Sequence, residues 1–408
     1  MATWISELCD VGHCPAFALW VARLVARGGE QVVLAMPKAL RDAEGLKEQV
    51  CLAVEEGVEL QWLDRSPIIG YNVPGGAQAS AWLAAWRAPG KGDRLIVPTL
   101  DYMLTGRALE FPEGVIVEVI YHQPMTLLPM IPPVRQMVSQ RFGLPARRDR
   151  KLRWKRWKQI GAHRTYLLDP YETVGPGQRR MQRCLGRAGI AYLPIGTLNS
   201  DGYVAKKGCR ESFGIDADAP FLVIPGNPDR RKDIGTLIRA WPKVRKEVPG
   251  AILGIFGERL HFFPKWDEMA GEGVIIRDGA LSQSAMLGIL QEADAVWAVR
   301  TSIGMSSIQE VAFQLGTVAI VSRSNLSSAW LADRFGGIKV IPGDLRSVAR
   351  GVAKALNGKV RQEPVDLGVL ADVMVAADVL AGRRVLSVQD FPAKLRCPRV
   401  IRRVDAAQ

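Results

Sequence analysis

The chain has 408 residues, 48% of them hydrophobic. That is enough for two domains with real cores and too apolar for a disordered protein. Its 54 lysines and arginines against 41 acids give a net charge of +13, which favours an acidic partner: nucleotide phosphates, an anionic membrane face or nucleic acid.

The first forty residues read as a βαβ unit, and hence as the start of a parallel sheet. Residues 3–8 form the strand, "CDVGHCP" the loop, "AFALWVARLVARGG" an amphipathic helix stopped at Gly28-Gly29, and "EQVVLAMP" the returning strand. Further strands are predicted at 95–98, 115–121 and 165–168. After residue 200 a second α/β run begins. Its buried strands are predicted at 221–224, 251–256, 274–277, 295–299, 318–322 and 339–341, with helical patterns between them, for example at 284–292 and 306–315. Two doubly wound domains follow, 1–200 and 201–408, joined near 195–205, with the closing stretch expected to pack back on the first. The opening residues lack the basic-then-apolar order of a signal peptide, and the apolar helix 16–25 is too short to span a bilayer. Six cysteines stand far apart without a C-x-x-C pair, which argues against a zinc site or disulfide framework and for a reducing cytoplasm.

One stretch departs from the alternation. "ARRDRKLRWKRWKQIGAHR", residues 146–164, carries nine Lys or Arg against one acid, with Trp154 and Trp157 three apart. A basic helix with tryptophans on one side suits an anionic membrane interface. It also suits nucleic acid, or a solvated linker.

Several chemistries are missing from the motifs. The sequence has no G-x-x-x-x-G-K-[ST], no G-x-G-x-x-G after the first strand, no H-E-x-x-H and no G-x-S-x-G. With four histidines in all (His13, His122, His163, His261), an imidazole metal site is not expected, and neither a metal nor a cofactor is predicted. What stands out is "VIPGNPDRRKDIGTLIRAW", residues 223–241. An apolar run ends at Pro225-Gly226, three cations follow at Arg230, Arg231 and Lys232, and Ile234, Leu237, Ile238 and Trp241 then share one helix face. The helix dipole repels cations at that end. Either the charges are solvated, or an anion sits there between helix amides and cations.

The stretch "RESFGIDADAPFLVIPGNPDRRKDIGTLIRAWPKVRKEVPGAILGIFGE" resembles the opening of the second domain of retaining glycosyltransferases with the glycosyltransferase-B fold, the group 1 transferases of bacterial surface-polysaccharide synthesis. "LPIGTLNSDGY", "LSQSAMLGILQEADAVWAVRTS" and "GTVAIVSRS" resemble its linker and later elements. The likeness covers roughly residues 190–355 well and the first half in outline. It implies two Rossmann-like domains facing a central cleft: an acceptor-binding domain first and a nucleotide-sugar domain second. It also implies that Gly226, Lys232 and Arg231 hold the donor diphosphate. Asn227 stands where the family carries Arg. Glu310 matches the glutamate that grips the ribose, whereas Ser302 or Ile303 replaces the family's first glutamate. "VGHCPAFALW" resembles the cleft loop of the first domain, where Gly12 admits the donor backbone-close and His13 acts on acceptor or sugar. His122, ending "VIVEVIYHQP", matches a cleft histidine.

The resemblance implies a cytoplasmic enzyme that moves a hexose from a nucleotide-diphospho-sugar to a glycan or lipid-linked acceptor, without metal, at the inner face of the cell membrane. Three alternatives stay open. One is a catalytically degenerate binding protein, one a transferase acting on DNA bases through residues 146–164, and one a nucleotide-sugar 2-epimerase, which "SIQEVAFQLG" also resembles.

Overall fold

The computed structural model describes residues 2–7, 14–64, 89–100, 110–121, 155, 157–168, 171, 190–194, 201–226, 228, 230–257, 271–301, 306–358, 363–367 and 372–391. The chain divides into two compact units, Met1–Leu198 with Val369–Gln408, and Asn199–Gly368. The second unit is therefore shorter than the span 201–408, because the closing stretch belongs to the first.

The first unit is built on a seven-stranded parallel sheet, in the order β3-β2-β1-β4-β5-β6-β7. Its strands are β1 (Thr3–Ser6), β2 (Val32–Pro37), β3 (Glu59–Leu63), β4 (Arg94–Val97), β5 (Ile116–Tyr121), β6 (Arg164–Leu167) and β7 (Ile190–Tyr192). The apolar runs seen in the sequence supply the central strands, and all six residues of β2 are buried, as strands covered on both faces must be. β3 and β7 carry weaker signals. The edge strand β3, "ELQWL", has no fully buried residue and so shows no apolar run.

The helix Cys14–Arg27 is buried almost all round rather than amphipathic as expected. It lies against β1 and β2 and packs on the helices Lys47–Glu55 and Val373–Leu380. Its one deep cation, Arg23, is 1% exposed and pairs with Glu56 at 2.7 Å. The segment after Val373–Leu380 is tied down by Arg383, whose Nη1 donates to the Gly28 carbonyl at 2.7 Å.

A polar network spans the amino-terminal ends of these strands. The Arg94 guanidinium pairs with Glu118 at 2.6 Å and Glu30 at 2.8 Å and donates to the Leu380 carbonyl. The Tyr166 hydroxyl donates to Glu118 at 2.7 Å. Burial and then the Glu118 carboxylate push the Tyr166 phenol above its ordinary range. A raised folded-state pKa means the neutral phenol is favoured by folding, so this contribution is complete below the unfolded pKa of about 10 and fades as pH rises beyond it. Chemical unfolding followed from pH 8 to 11 should show stability falling above about pH 10, with a shallower fall in Tyr166→Phe. An equal fall in both proteins would contradict this.

In the basic stretch, Trp157 and Ile160 pack against the apolar core under β4 and β5, while Lys155 and Lys158 are exposed. Trp157 is thus partly buried against the core. Trp154 and most of the cations lie outside the described residues.

The second unit holds a six-stranded parallel sheet in the order β10-β9-β8-β11-β12-β13. Its strands are β8 (Phe221–Pro225), β9 (Ile252–Gly257), β10 (Val274–Asp278), β11 (Ala295–Trp297), β12 (Val318–Ser322) and β13 (Ile338–Val340). All six fall where the apolar runs predict. The helices Ile234–Glu247 and Leu345–Asn357 pack together and share one core, in which Ile234, Leu237, Trp241 and Val244 meet Leu222, Ile224, Val348 and Val352. Ile238 is only partly buried at its margin. The 3.6-residue spacing in the sequence is the imprint of this face.

Candidate functional site

In an open parallel sheet, ligands bind beyond the carboxyl ends of the strands, at the point where the strand order reverses. The second sheet reverses between β8 and β11, since β8 leads outward to β9 and β11 to β12. The cation-rich loop follows β8 and is fastened over that crevice. The Thr301 amide and Oγ1 donate to the Arg231 carbonyl at 2.7 and 3.2 Å, and Trp297 Nε1 donates to the Lys232 carbonyl at 2.7 Å. Both partners come from the carboxyl end of β11. The segment Arg230–Lys232 is a single 3-10 turn, so the helix proper begins at Ile234, two residues after the lysine.

Asp233 makes this geometry possible. It is left-handed, with φ 50°, a conformation that aspartate tolerates better than most residues. Its carboxylate accepts from the Gly343 amide at 2.8 Å and from Thr236 Oγ1 at 2.7 Å. The exposed Gly235 leaves open space over the first helical turn, with no atom within 4 Å of where a Cβ would stand. Helix amides there are approachable by an anion.

Lys232 is not a freely solvated side chain. It is half-buried, and its Nζ donates to the carbonyls of Pro225 at 2.7 Å and Gly226 at 3.0 Å. Gly226 has φ 71°, and a Cβ there would come within 3.7 Å of the ammonium. Glycine thus allows both the left-handed turn and the lysine's close return. The effect is a cation placed in advance at the mouth of the crevice.

Glu310 lies in the first turn of the helix Ser307–Leu315, which leaves the carboxyl end of β11 and leads to β12. It therefore belongs to the same edge of the sheet as Lys232. It is 1% exposed, so it is a buried acid and not a solvated helix residue. Its neighbour Gln309 is also buried and donates to the Ser328 carbonyl at 2.9 Å.

The first sheet reverses between β1 and β4. Two polar residues that the sequence did not single out lie there. Glu7 follows β1 and Thr99 lies just beyond β4, both fully buried, and Thr99 Oγ1 donates to the Glu7 carboxylate at 2.9 Å. An acid closing an otherwise apolar strand was the available signal, hidden because residues 3–8 read as one strand. Asp233, Trp297 and Thr301 were also missed, since they act through backbone contacts between segments far apart in sequence. Gly12, His13, His122, Asn227, Ser302 and Ile303, and the Arg230 side chain, lie outside the described residues. Among the described residues no group of acids, cysteines and histidines is placed to hold a metal.

No family model matches the sequence, and no curated protein matches it. Solved structures do. Sucrose-phosphate synthase from Thermosynechococcus elongatus superposes with a TM-score of 0.61 over 100% of both chains at 15% identity. HepE of Anabaena, in complex with UDP and glucose, gives 0.56 over 100% of both at 11%. A Listeria monocytogenes protein assigned as a UDP-N-acetylglucosamine 2-epimerase gives 0.58 over 93% of this chain and 94% of its own at 13%. The fold is thus glycosyltransferase-B: α/β, with two Rossmann-like domains.

Proposed function

We propose that this chain is a glycosyltransferase taking its sugar from a nucleotide-diphospho-sugar. The observation that carries the reading is the Lys232 loop, fastened over the reversal point of the second sheet beside an open helix N-terminus. In transfer, the bond from the sugar's anomeric carbon to the β-phosphate oxygen breaks, and the acceptor hydroxyl forms the new bond and loses its proton. The diphosphate leaves with an added negative charge. Lys232, with Arg231 and the helix amides, meets that charge as it develops, so it binds the transition state more strongly than the ground state. Charge stabilisation by these groups makes the reaction metal-independent. Retention of configuration, as in the resembled family, is part of the proposal.

Glu310 is assigned to the donor ribose, with Gly226 and Asn227 lining the diphosphate. In the first domain, Gly12, His13 and His122 are assigned to the acceptor side, where a glycan or lipid-linked acceptor binds. The solved relative bound to UDP and glucose supports a uridine nucleotide as the first donor to test. Mixing the protein with a panel of nucleotide sugars and measuring nucleoside diphosphate release tests the reading. An epimerase would instead yield the 2-epimer, and a degenerate binding protein would yield neither product.

Glu310→Gln should raise the KM for donor about tenfold and leave kcat nearly unchanged, as expected for one uniform contact worth about 1.4 kcal/mol. Steady-state kinetics with varied donor checks this, and a fall in kcat alone would contradict it.

No helix among the described residues is long and apolar enough to cross a membrane. Cytoplasmic attachment to the inner membrane face is proposed on the cations of 146–164, since Trp157 packs against the core. Replacing Arg147, Arg148, Lys151, Arg153, Lys155 and Arg156 with Ser should abolish co-sedimentation with anionic vesicles. Unchanged sedimentation would overturn the attachment, and a steep salt-dependent shift of DNA would move the role of this segment to nucleic acid.

A further inference from the structure

A second basic concavity lies on the other side of the second domain's chemistry, and none of the site residues described above line it. It is a groove of about 570 Å³ between the edge strand β13 and the helix Leu345–Asn357. Along the helix it takes Ser347, Arg350, Gly351 and Lys354, spaced three and four apart and so on one face. From the sheet it takes Val318, Ile338 and Lys339, and from the turn before β13 Gly336 and Gly337. Val318 opens β12 and the glycine pair leads into β13, so this end of the groove lies at the amino ends of the strands. Lys232 follows the carboxyl end of β8. The two sites occupy opposite edges of one sheet.

Three cations line the groove, and no acid does. Asp333 is ion-paired to Lys339 from outside the lining. Arg350 and Lys354 are exposed. Two glycines shape the site. A Cβ on Gly351 would fall 2.3 Å from Val340 Cγ1, and one on Gly337 would fall 2.9 Å from the Ala332 Cβ. The helix thus closes on the strand at Gly351, and Arg350 and Lys354 flank that point of close approach. A core alone requires none of these charges.

We infer that this groove binds a phosphate-bearing anion, separately from the donor site. A guanidinium fork matches two phosphate oxygens, and lysine ammoniums add point charges. The volume lies within the range of small-molecule sites, so a phosphorylated metabolite fits, as does a phospholipid headgroup. Their shared chemistry is the phosphate.

The test uses the full chain carrying Lys232→Ala, which weakens the donor site, and inorganic pyrophosphate as the probe in calorimetry at low salt. Arg350→Glu with Lys354→Glu should weaken pyrophosphate binding at least tenfold. Both side chains are exposed, and a matching circular-dichroism melt shows the fold is kept. A second arm uses vesicles of phosphatidylcholine with and without phosphatidylglycerol, on protein whose six cations in 146–164 are already Ser. If sedimentation with the anionic vesicles also falls in the double variant, the source is a lipid headgroup. If only pyrophosphate binding falls, it is a soluble phosphate. The inference is overturned if the double variant changes neither.

Discussion

Lys232→Ala should lower the transfer rate by about 100- to 1000-fold, the roughly 3–4 kcal/mol expected when one charge-assisted contact to a developing anion is lost. The effect on folding should be far smaller, although larger than for a solvated lysine. The ammonium donates to the carbonyls of Pro225 and Gly226, and losing these part-buried bonds should cost about 1 kcal/mol. The two effects are separable because they are read by different measurements, turnover with saturating donor and chemical unfolding. Arg231→Ala should cost less in rate, since the loop is fastened through the Arg231 carbonyl, which the substitution keeps. If Lys232→Ala retains full turnover, the lysine merely ties off the end of β8.

Glu118→Ala should do the reverse. It removes the carboxylate that pairs with Arg94 and accepts from Tyr166. The Arg94 and Glu118 side chains are only 11% and 8% exposed. Breaking such a pair from one side strands a buried charge and should cost about 3–5 kcal/mol of stability. Arg94 keeps Glu30 as a partner, which places the effect at the lower end of that range. The network sits at the amino ends of the strands, away from the ligand edge, so kcat/KM per folded molecule should be unchanged. Replacing both partners, Arg94→Met with Glu118→Leu, should cost less than the sum of the single changes. Denaturant unfolding of the three variants checks this. A Glu118→Ala protein as stable as the wild type would show that the network carries no stability.

What could be read from the sequence follows from what leaves a local trace. A strand buried on both faces must be apolar throughout, so β8, β9, β11 and β12 were visible as runs. The helix Ile234–Glu247 was visible because one face meets the core. An edge strand need not obey this rule. β3, with Glu59 exposed and Gln61 half-buried, satisfies few apolar positions and was missed. The cation loop was legible in place and composition, since three charges in a row at a repelling helix end stand out. Its support was not, because Asp233 acts through a left-handed backbone and Trp297 and Thr301 reach it from some seventy residues away. The return of Lys232 onto Pro225 and Gly226 left no trace either, because spacing carries no information about a side chain folding back on its own turn. Glu7 and Thr99 meet only after β1 and β4 pair, an adjacency created by the order of the sheet.

The central claim is that the crevice beyond β8 and β11 holds the diphosphate of a nucleotide sugar. The most direct test is calorimetric titration of the full chain with UDP, GDP, ADP and dTDP, repeated on Lys232→Ala. The account predicts that at least one of these nucleotides binds in a one-to-one complex and that its affinity falls at least tenfold in the variant, the loss of about 1.4 kcal/mol. No binding of any of the four, or binding equally tight in the variant, would contradict it.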